Sequence, residues 1–318
     1  MLLAVCFLSV RLGSRGVTLA TVWAALTDFD PDSPAQTVIR EMRVPRTLLG
    51  VAGGVALGVS GAILQGMTRN PLADPGIMGI NAGAAAAIVT AIAVLGIHGM
   101  GAYIWLAFVG AGIAVGVVYG IASFGREGAT PVKLALAGAA VTAGLTSLTT
   151  AIVMTDLDAL NAIRFWQVGS LAGRYMPVFW QVVPFIAAGT LVALGTGRAL
   201  NGLALGDDVA RGLGQRVART RLLMFATVAV LCGAATAACG PIVFLGLIVP
   251  HVARLICGPD YRWILPYCMV LAPILLLAAD IAGRVATAPS ELQVGVVLGV
   301  IGAPVFVLLV RYRSLSEL

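Results

Sequence analysis

RVPRTLLGVAGGVALGVSGAILQGMTRNPLADPGIMGINAGA (43–84) begins with an apolar run at 47–66. A helix needs about 20 mostly apolar residues to cross a bilayer, and this run has that length. Glycine and alanine recur along it, and small residues let neighbouring membrane helices approach closely. Asn70 and Pro71 then favour a reversal of the chain. The stretch therefore predicts a closely packed membrane helix followed by a turn.

Apolar runs of the same kind recur along the whole chain. Besides 47–66 they lie at 77–97, 101–124, 132–154, 177–197, 222–239, 241–257, 263–282 and 293–310, with a shorter run at 1–10. Gly240 and Pro241 divide the stretch 222–257, because proline cannot continue the hydrogen bonding of a helix. We predict an all-α polytopic membrane protein with one domain over 1–318. Ten transmembrane helices are expected, the first of them truncated.

The composition excludes an ordinary soluble protein. Of 318 residues, 59% are hydrophobic and 11% are charged, and the mean hydropathy is +0.99. A soluble domain has about 25% charged residues, so a lipid bilayer must cover much of this surface. The 20 basic residues stand singly between apolar runs and form no patch for nucleic acid.

No constellation for catalysis, metal binding or cofactor binding stands out. A Walker A loop places a lysine after GxxxxG, but the sole lysine, Lys133, stands in TPVKLALAG. The five cysteines lie in apolar stretches without a CxxC pair, which favours neither zinc nor a disulfide framework. We predict no cofactor and no enzymatic activity, so any ATP hydrolysis would belong to a separate subunit.

The distribution of arginines predicts the orientation, because basic loops stay on the cytoplasmic side. If the helix at 47–66 runs from outside to inside, twelve basic residues are cytoplasmic and eight are external. The polar and aromatic segment 155–176 is then external, and the charged segment 198–221 is cytoplasmic. Ten helices would place both termini in the cytoplasm.

Several motifs resemble the FecCD family, which comprises the ABC permeases for iron siderophores, haem and cobalamin. The most diagnostic block is 43–84. Further blocks follow in family order: KLALAG (133–138), FWQVGSL (165–171), LALGDDVARGLG (203–214), GPIVFLGLIVPHVAR (240–254), LLAADIAGR (276–284) and ELQVGVVLGVIGAPVFVLLVR (291–311). The likeness covers nearly the whole chain after residue 36.

The resemblance implies a cobalamin-permease-like fold in the bacterial inner membrane. Two permease subunits, identical or paralogous, would surround one pathway. Two copies of an ATP-binding subunit would lie below, and an extracytoplasmic substrate-binding protein would dock from outside. Ferric siderophores are the expected substrate, with haem or cobalamin as alternatives.

The family's RxPR block implies that Arg43 and Arg46 meet acidic residues of the binding protein. Arg284, in ADIAGR, matches a third docking arginine. Guanidinium groups suit this role because they bind carboxylates through two parallel hydrogen bonds. The alternative is that the arginines anchor the chain at the membrane interface, or that Arg284 pairs with Asp280 at i,i+4.

Residues 203–214 match the cytoplasmic helices that couple such permeases to their ATPase, although a solvated loop is the alternative. The residues are Leu203, Ala204, Leu205, Gly206, Asp207, Asp208, Val209, Ala210, Arg211, Gly212, Leu213 and Gly214. The glycines permit tight turns, and the charged residues offer polar contacts.

Thr130, Pro131 and Val132 match the loop that narrows the pathway at its cytoplasmic end. Thr130 fits the small hydroxyl residues of that loop, whereas Pro131 and Val132 depart from them.

An ion- or proton-coupled carrier working alone is the rival hypothesis. Such carriers need charged groups inside their spans. Here Asp280 lies within a predicted span, and His251 and Arg254 lie at the edge of one. The sequence places few other ionisable residues in the predicted spans.

The orientation predicts the outcome of topology mapping. Reporter fusions or introduced cysteines within 198–221 should be accessible from the cytoplasm, and those within 155–176 from outside. The positive-inside rule is the physical reason. External labelling of 198–221 would overturn both the orientation and the coupling role.

Overall fold

The computed structural model describes residues 1–13, 16–97, 99–124 and 129–312, and every regular element within them is helical. The α-helices are α1 (Leu2–Arg11), α2 (Leu19–Thr27), α3 (Pro34–Thr37), α4 (Val44–Thr68), α5 (Ile80–Leu95), α6 (Met100–Ala122), α7 (Pro131–Thr155), α8 (Leu157–Trp166), α9 (Met176–Gly195), α10 (Gly197–Ala204), α11 (Asp207–Gly212), α12 (Val217–Cys239), α13 (Leu245–Cys257), α14 (Tyr261–Ala286) and α15 (Val294–Tyr312). A π-helix, Val38–Arg43, leads into α4, and a 3-10 helix, Pro75–Met78, precedes α5. The expected cytoplasmic C-terminus, 313–318, lies outside the described residues.

Within the described residues, six helical segments are long and apolar enough to cross a membrane. They are Pro34–Thr68, Gly101–Ala122, Pro131–Thr155, Met176–Gly195, Val217–Cys239 and Tyr261–Ala286. Four shorter apolar helices (α1, α5, α13 and most of α15) accompany them in the described part of the chain, so the ten predicted apolar runs are helical, whereas six of them have the length of a full span. Each predicted apolar run corresponds to one helix, and the all-α polytopic fold is confirmed.

Helix α4 forms the centre of the bundle. Twenty of its 25 residues are buried, and it packs against α14, α12, α13 and α9. Gly54 meets the backbone of Pro273 in α14, and Gly61 meets the backbone of Gly246 in α13. A Cβ atom at either glycine would collide with that backbone. The glycines of the 43–84 stretch therefore set the close approach of these helices.

The predicted break at Gly240 and Pro241 is confirmed, but the second helix is shorter than predicted. It begins at Leu245 rather than at residue 241. Gly240 (φ 74°) and Phe244 (φ 66°) both adopt the left-handed region, so the segment between them cannot be helical. At this break the Cys239 carbonyl accepts a hydrogen bond of 2.7 Å from the backbone N–H of Ser170.

Helix α7 lies on the surface of the single chain. Its buried residues are Leu134, Ala137, Gly138 and Thr149. Val132, Leu136 and Met154 are at least two-thirds exposed. A long apolar face of this kind must meet lipid or another protein surface. The resemblance to the FecCD family implies that the helices at 132–154 and 293–310 line the pathway, and α7 is the first of these two.

Candidate functional site

A buried ion cluster joins α4 and α14 at the end of α4 that is predicted to face outward. The Asp280 carboxylate is fully buried, and Arg46 donates to it at 2.8 Å (Nη2–Oδ1) and 3.0 Å (Nε–Oδ2). Arg284, one turn later on α14, places Nη2 3.1 Å from Oδ2 of the same carboxylate. Arg46 also donates through Nη1 to Glu291 at 2.7 Å. A lone charge in a span centre costs about 2.5–3.5 kcal/mol, and these pairings offset that cost.

The arginines also hold α1 in place. Arg284 Nη1 donates to the carbonyls of Ser9 (3.0 Å) and Leu12 (2.9 Å). Arg43 Nη1 donates to the carbonyl of Arg11 at 2.7 Å. The last carbonyls of a helix have no partner within the helix, and cations are favourable at that end. The arginine cluster therefore caps α1 and ties it to α4 and α14.

A cavity of about 300 Å³ opens beside the ion cluster. Its charged lining consists of Arg43, Arg46, Arg174, Arg284 and Glu291. The Nε atom of Arg284 is buried, and no described residue accepts a hydrogen bond from it. Burial lowers the pKa of the Arg174 guanidinium. Four cations facing one carboxylate make the cavity electropositive, which suits an anionic group.

The structure brings the three predicted docking arginines together but also gives each of them an internal partner. Arg43, Arg46 and Arg284 are 6%, 8% and 1% exposed. The alternative pairing of Arg284 with Asp280 at i,i+4 is present. Arg174 was not predicted, because a single arginine in a polar segment gives no sign of its distant neighbours. Docking itself stays a prediction.

At the other end of the bundle, α10 and α11 form a helical elbow that contains most of the predicted coupling residues 203–214. Gly206 (φ 111°) and Gly214 (φ 82°) allow the chain to turn on both sides of α11. Leu205, Val209 and Leu213 are 66%, 48% and 66% exposed. Exposed apolar side chains on a polar elbow form a surface that suits a protein partner.

Asp207 links this elbow to two neighbouring helices. Its Oδ1 accepts a hydrogen bond of 2.8 Å from Nη2 of Arg221, in the first turns of α12. The same oxygen lies 4.0 Å from Nη2 of Arg69, directly after α4. Arg221 is 8% exposed, and its Nη1 donates to the carbonyl of Ala129 at 3.4 Å. Ala129 immediately precedes the predicted gate, so a line of contacts runs from the elbow to that position.

The predicted gate residues form the beginning of α7. Thr130 is the N-cap, and its Oγ1 accepts a hydrogen bond of 3.4 Å from the backbone N–H of Lys133. Pro131 takes the first helical position, where the missing N–H removes no helical hydrogen bond. Val132 is 69% exposed. Helix initiation explains the threonine and the proline, whereas gating stays a prediction.

The two regions lie at opposite ends of α4. Arg46 stands in its first turn, and Arg69 directly follows its last residue. At 1.5 Å per residue, these 23 positions span about 35 Å, slightly more than the hydrocarbon core of a bilayer. The electropositive cavity and the elbow therefore suit opposite faces of one membrane.

Comparison with known families agrees with this arrangement. The FecCD transport family matches residues 1–312. The chain belongs to this family. The resemblance found in the motifs is thereby confirmed, including the likeness to cobalamin permeases.

Curated relatives of this FecCD chain are similar over nearly its full length. The ferric enterobactin transport system permease protein FepD of Escherichia coli is 44% identical, over 96% of this chain and 91% of FepD. The iron(3+)-hydroxamate import system permease protein FhuB of Bacillus subtilis is 44% identical, over 96% of this chain and 79% of FhuB. The cobalamin import system permease protein BtuC of Halobacterium salinarum is 38% identical, over 94% and 80%.

A solved structure shows the same fold. A metal-chelate type ABC transporter in an inward-facing conformation matches with a TM-score of 0.85 and 25% identity. The match covers 98% of this FecCD chain and 96% of that one. The multi-pass fold of a transporter permease is therefore established.

The ion cluster predicts a large difference between its two carboxylates. Asp280→Asn leaves two buried arginines without their shared anion, and breaking a buried pair costs about 3–5 kcal/mol. Glu291→Gln removes the negative charge of a side chain that is 32% exposed, and loss of such an ion pair costs about 1 kcal/mol or less. Thermal unfolding in detergent should therefore show a fall of several degrees for Asp280→Asn and little change for Glu291→Gln. Equal midpoints for the two variants would contradict the cluster's structural role.

Proposed function

We propose that this FecCD protein is the membrane-spanning permease subunit of an ATP-driven importer for ferric siderophores. The observation that carries the proposal is the 44% identity to FepD and FhuB over 96% of the chain, since both names specify ferric siderophore transport. Haem or cobalamin is the alternative substrate, and the 38% identical cobalamin permease protein supports it. The protein would lie in the bacterial plasma membrane with both termini in the cytoplasm.

The proposed assembly assigns a partner to each exposed surface. A second permease subunit, identical or paralogous, would face α7 across the pathway. Two ATP-binding subunits would hydrolyse ATP and contact the elbows formed by α10 and α11. A substrate-binding protein would dock over the electropositive cavity at the other face. Alanine, glycine and threonine dominate much of α7, and such a smooth, uncharged wall suits a bulky chelate that is handed over rather than held tightly.

The rival hypothesis, a proton- or ion-coupled carrier, finds little support in the spanning helices. A coupling carboxylate has to reach the pathway and change its charge during the cycle. Asp280 lies inside α14 with no exposed surface and shares its charge with Arg46 and Arg284. The geometry therefore favours a structural carboxylate over a coupling one.

Reconstituted uptake tests the proposed function. Proteoliposomes containing the chain with its ATPase should accumulate a ferric siderophore only when ATP and the binding protein are both present. The same vesicles without the ATPase should neither hydrolyse ATP nor accumulate the siderophore under an imposed proton gradient. Uphill uptake by the chain alone would contradict the proposal, and ATP-dependent uptake of haem or cobalamin in place of the siderophore would reassign the substrate.

We propose further that the elbow transmits the ATPase motion to the gate through Asp207 and Arg221. Asp207 lies on the elbow, and Arg221 connects it to the carbonyl of Ala129. A movement of α11 would therefore pull on the residue that precedes Thr130. Because Arg221 is nearly inaccessible to water, both of its contacts are stronger than they would be at an open surface.

This relay predicts that Arg221→Gln uncouples the transporter. In the complete complex, siderophore uptake per ATP hydrolysed should fall about tenfold, the equivalent of about 1.4 kcal/mol, because a neutral side chain cannot hold both contacts. ATP hydrolysis itself should persist. Arg219→Gln, at an exposed position two residues earlier, is the matched control and should behave as wild type. If both variants keep the wild-type ratio of uptake to hydrolysis, the relay is wrong.

Docking of the binding protein would place an acidic side chain in the cavity lined by Arg43, Arg46, Arg174 and Arg284. The cavity carries excess positive charge, and Nε of Arg284 still offers a buried donor. Arg174 is a suitable probe, because the buried Asp280 pairings involve Arg46 and Arg284 instead.

Arg174→Gln should weaken binding of the partner protein about tenfold or more, since a hydrogen bond to a charged group contributes about 1.5–3 kcal/mol. Arg40→Gln is the control, because Arg40 stacks on Phe29 outside this cavity. Affinity is measured on nanodiscs, and thermal unfolding shows whether each variant is folded. A folded Arg174→Gln protein with unchanged affinity would remove Arg174 from the docking site.

A further inference from the structure

A second basic cavity lies at the end of α4 that carries the elbow. It has a volume of about 170 Å³ and is lined by Gln65, Arg69, Arg254 and Tyr261, among others. That volume corresponds to roughly five or six water molecules at about 30 Å³ each. Two arginines line it, and no aspartate or glutamate does so among the described residues.

The polar atoms around this cavity are incompletely satisfied. Arg254 donates through Nη2 to the Tyr261 hydroxyl at 3.1 Å, whereas its buried Nη1 has no acceptor within the described chain. Gln65 donates through Nε2 to the carbonyls of Gly246 and Leu247, both at 3.2 Å, which fixes the side chain. The buried Oε1 of Gln65 has no donor within the same ranges. The cavity thus presents a cationic donor and a neutral acceptor that a ligand could satisfy together.

Arg69 adds a second cation at an unusual backbone position. It ends α4 with φ 52°, in the left-handed region where glycine is normally found. An arginine there costs about 1–2 kcal/mol. Oδ1 of Asp207 is 4.0 Å from Nη2 of Arg69 and is already bonded to Arg221 at 2.8 Å. The charge of Arg69 is therefore only partly balanced.

The helix ends that form the cavity carry exposed apolar and aromatic side chains. On α13, Leu255 and Ile256 directly follow Arg254 and are 56% and 55% exposed. On α14, Trp263 stands two residues after Tyr261 and is 59% exposed. Tryptophan is enriched at the level of lipid headgroups. Basic pockets between membrane helices on the cytoplasmic side are suited to anionic headgroups.

We propose that this cavity binds the phosphate of an anionic phospholipid of the phosphatidylglycerol class. Arg69 and Arg254 bind the phosphate oxygens, and a glycerol hydroxyl of the headgroup donates to Gln65 Oε1. The acyl chains lie along the exposed apolar residues of α13 and α14. Free phosphate shares the oxyanion chemistry, but it does not use the neighbouring apolar surface. The bound lipid stands beside Asp207 and therefore next to the elbow.

Lipid titration of the delipidated full-length chain tests the proposal. Native mass spectrometry should show phosphatidylglycerol binding at least about tenfold more tightly than phosphatidylcholine. Phosphatidylcholine offers the same phosphate, but it brings a choline cation towards the two arginines and has no headgroup hydroxyl to donate to Gln65 Oε1. Arg254→Gln and Arg69→Gln should each remove most of the difference. Arg262→Gln is the matched control, because this arginine of the same face is 56% exposed and pairs with Asp260 outside the cavity.

Three outcomes would overturn the proposal. Equal binding of the two lipids, or a preference that survives both substitutions, excludes the headgroup site. Inorganic phosphate that binds with the same dependence on Arg69 and Arg254, and displaces the lipid, shows that the cavity holds free phosphate. Should Arg254→Gln fail to fold by thermal unfolding, Arg69→Gln decides, because its side chain is 45% exposed and glutamine can keep the same backbone conformation.

Discussion

The half of the bundle around the start of α4 depends on the charge of one carboxylate. Asp280 has no exposed surface, and Arg46 and Arg284 both direct guanidinium nitrogens at it within about 3 Å. Arg46 belongs to α4. Arg284 belongs to α14 and also donates hydrogen bonds to carbonyls at the end of α1. Neutralising the aspartate would leave two cations in a medium that cannot solvate them. Three helices are thus connected through a single anion.

A buried ion cluster of this kind contributes little net free energy to folding. Apolar residues of similar volume often replace a buried ion pair without loss, and sometimes with a gain of about 1–4 kcal/mol. Elsewhere α4 packs through glycines against helix backbones and needs no charges. We infer that the charges at Arg46, Asp280 and Arg284 are present for the electropositive cavity beside them rather than for stability. The distance of about 35 Å along the chain from Arg46 to Arg69 then separates this cavity from the elbow at the other end of α4.

Much of the fold was predictable because its determinants are local. Each membrane helix is an apolar run in the sequence, and Gly240 with Pro241 marks a break that the structure contains. The coupling segment was predicted from its charge, its glycines and its match to the family, and Arg46 with Arg284 from motifs in a shared order. The late start of α13 was missed, because the left-handed conformation of Phe244 leaves no mark in the sequence.

The contacts that combine these elements were not predictable. Arg46 and Glu291 are 245 positions apart, and Arg221 and Ala129 are 92 apart. Arg174 is a single arginine in a loop, and only the tertiary packing brings it to the cavity that Arg43 also lines. Conversely, TPVK at 130–133 was interpreted from its family match, whereas the structure shows that helix capping accounts for Thr130 and Pro131. Helix capping alone is enough to account for these two residues, without any functional role.

The central claim is that the charges of Arg46, Asp280 and Arg284 serve the electropositive cavity rather than the stability of the fold. Removing all three charges together tests it most directly. The variant Arg46→Met, Asp280→Leu, Arg284→Met should be clearly more stable than Asp280→Asn alone, since no lone charge remains buried. Its remaining loss should be that of the Ser9 and Leu12 carbonyls, which no longer receive hydrogen bonds from Arg284. It should nevertheless lose binding of the substrate-binding protein and siderophore uptake in the reconstituted complex. A triple variant that binds its partner and transports at the wild-type rate would contradict the claim, as would one that is as unstable as Asp280→Asn alone.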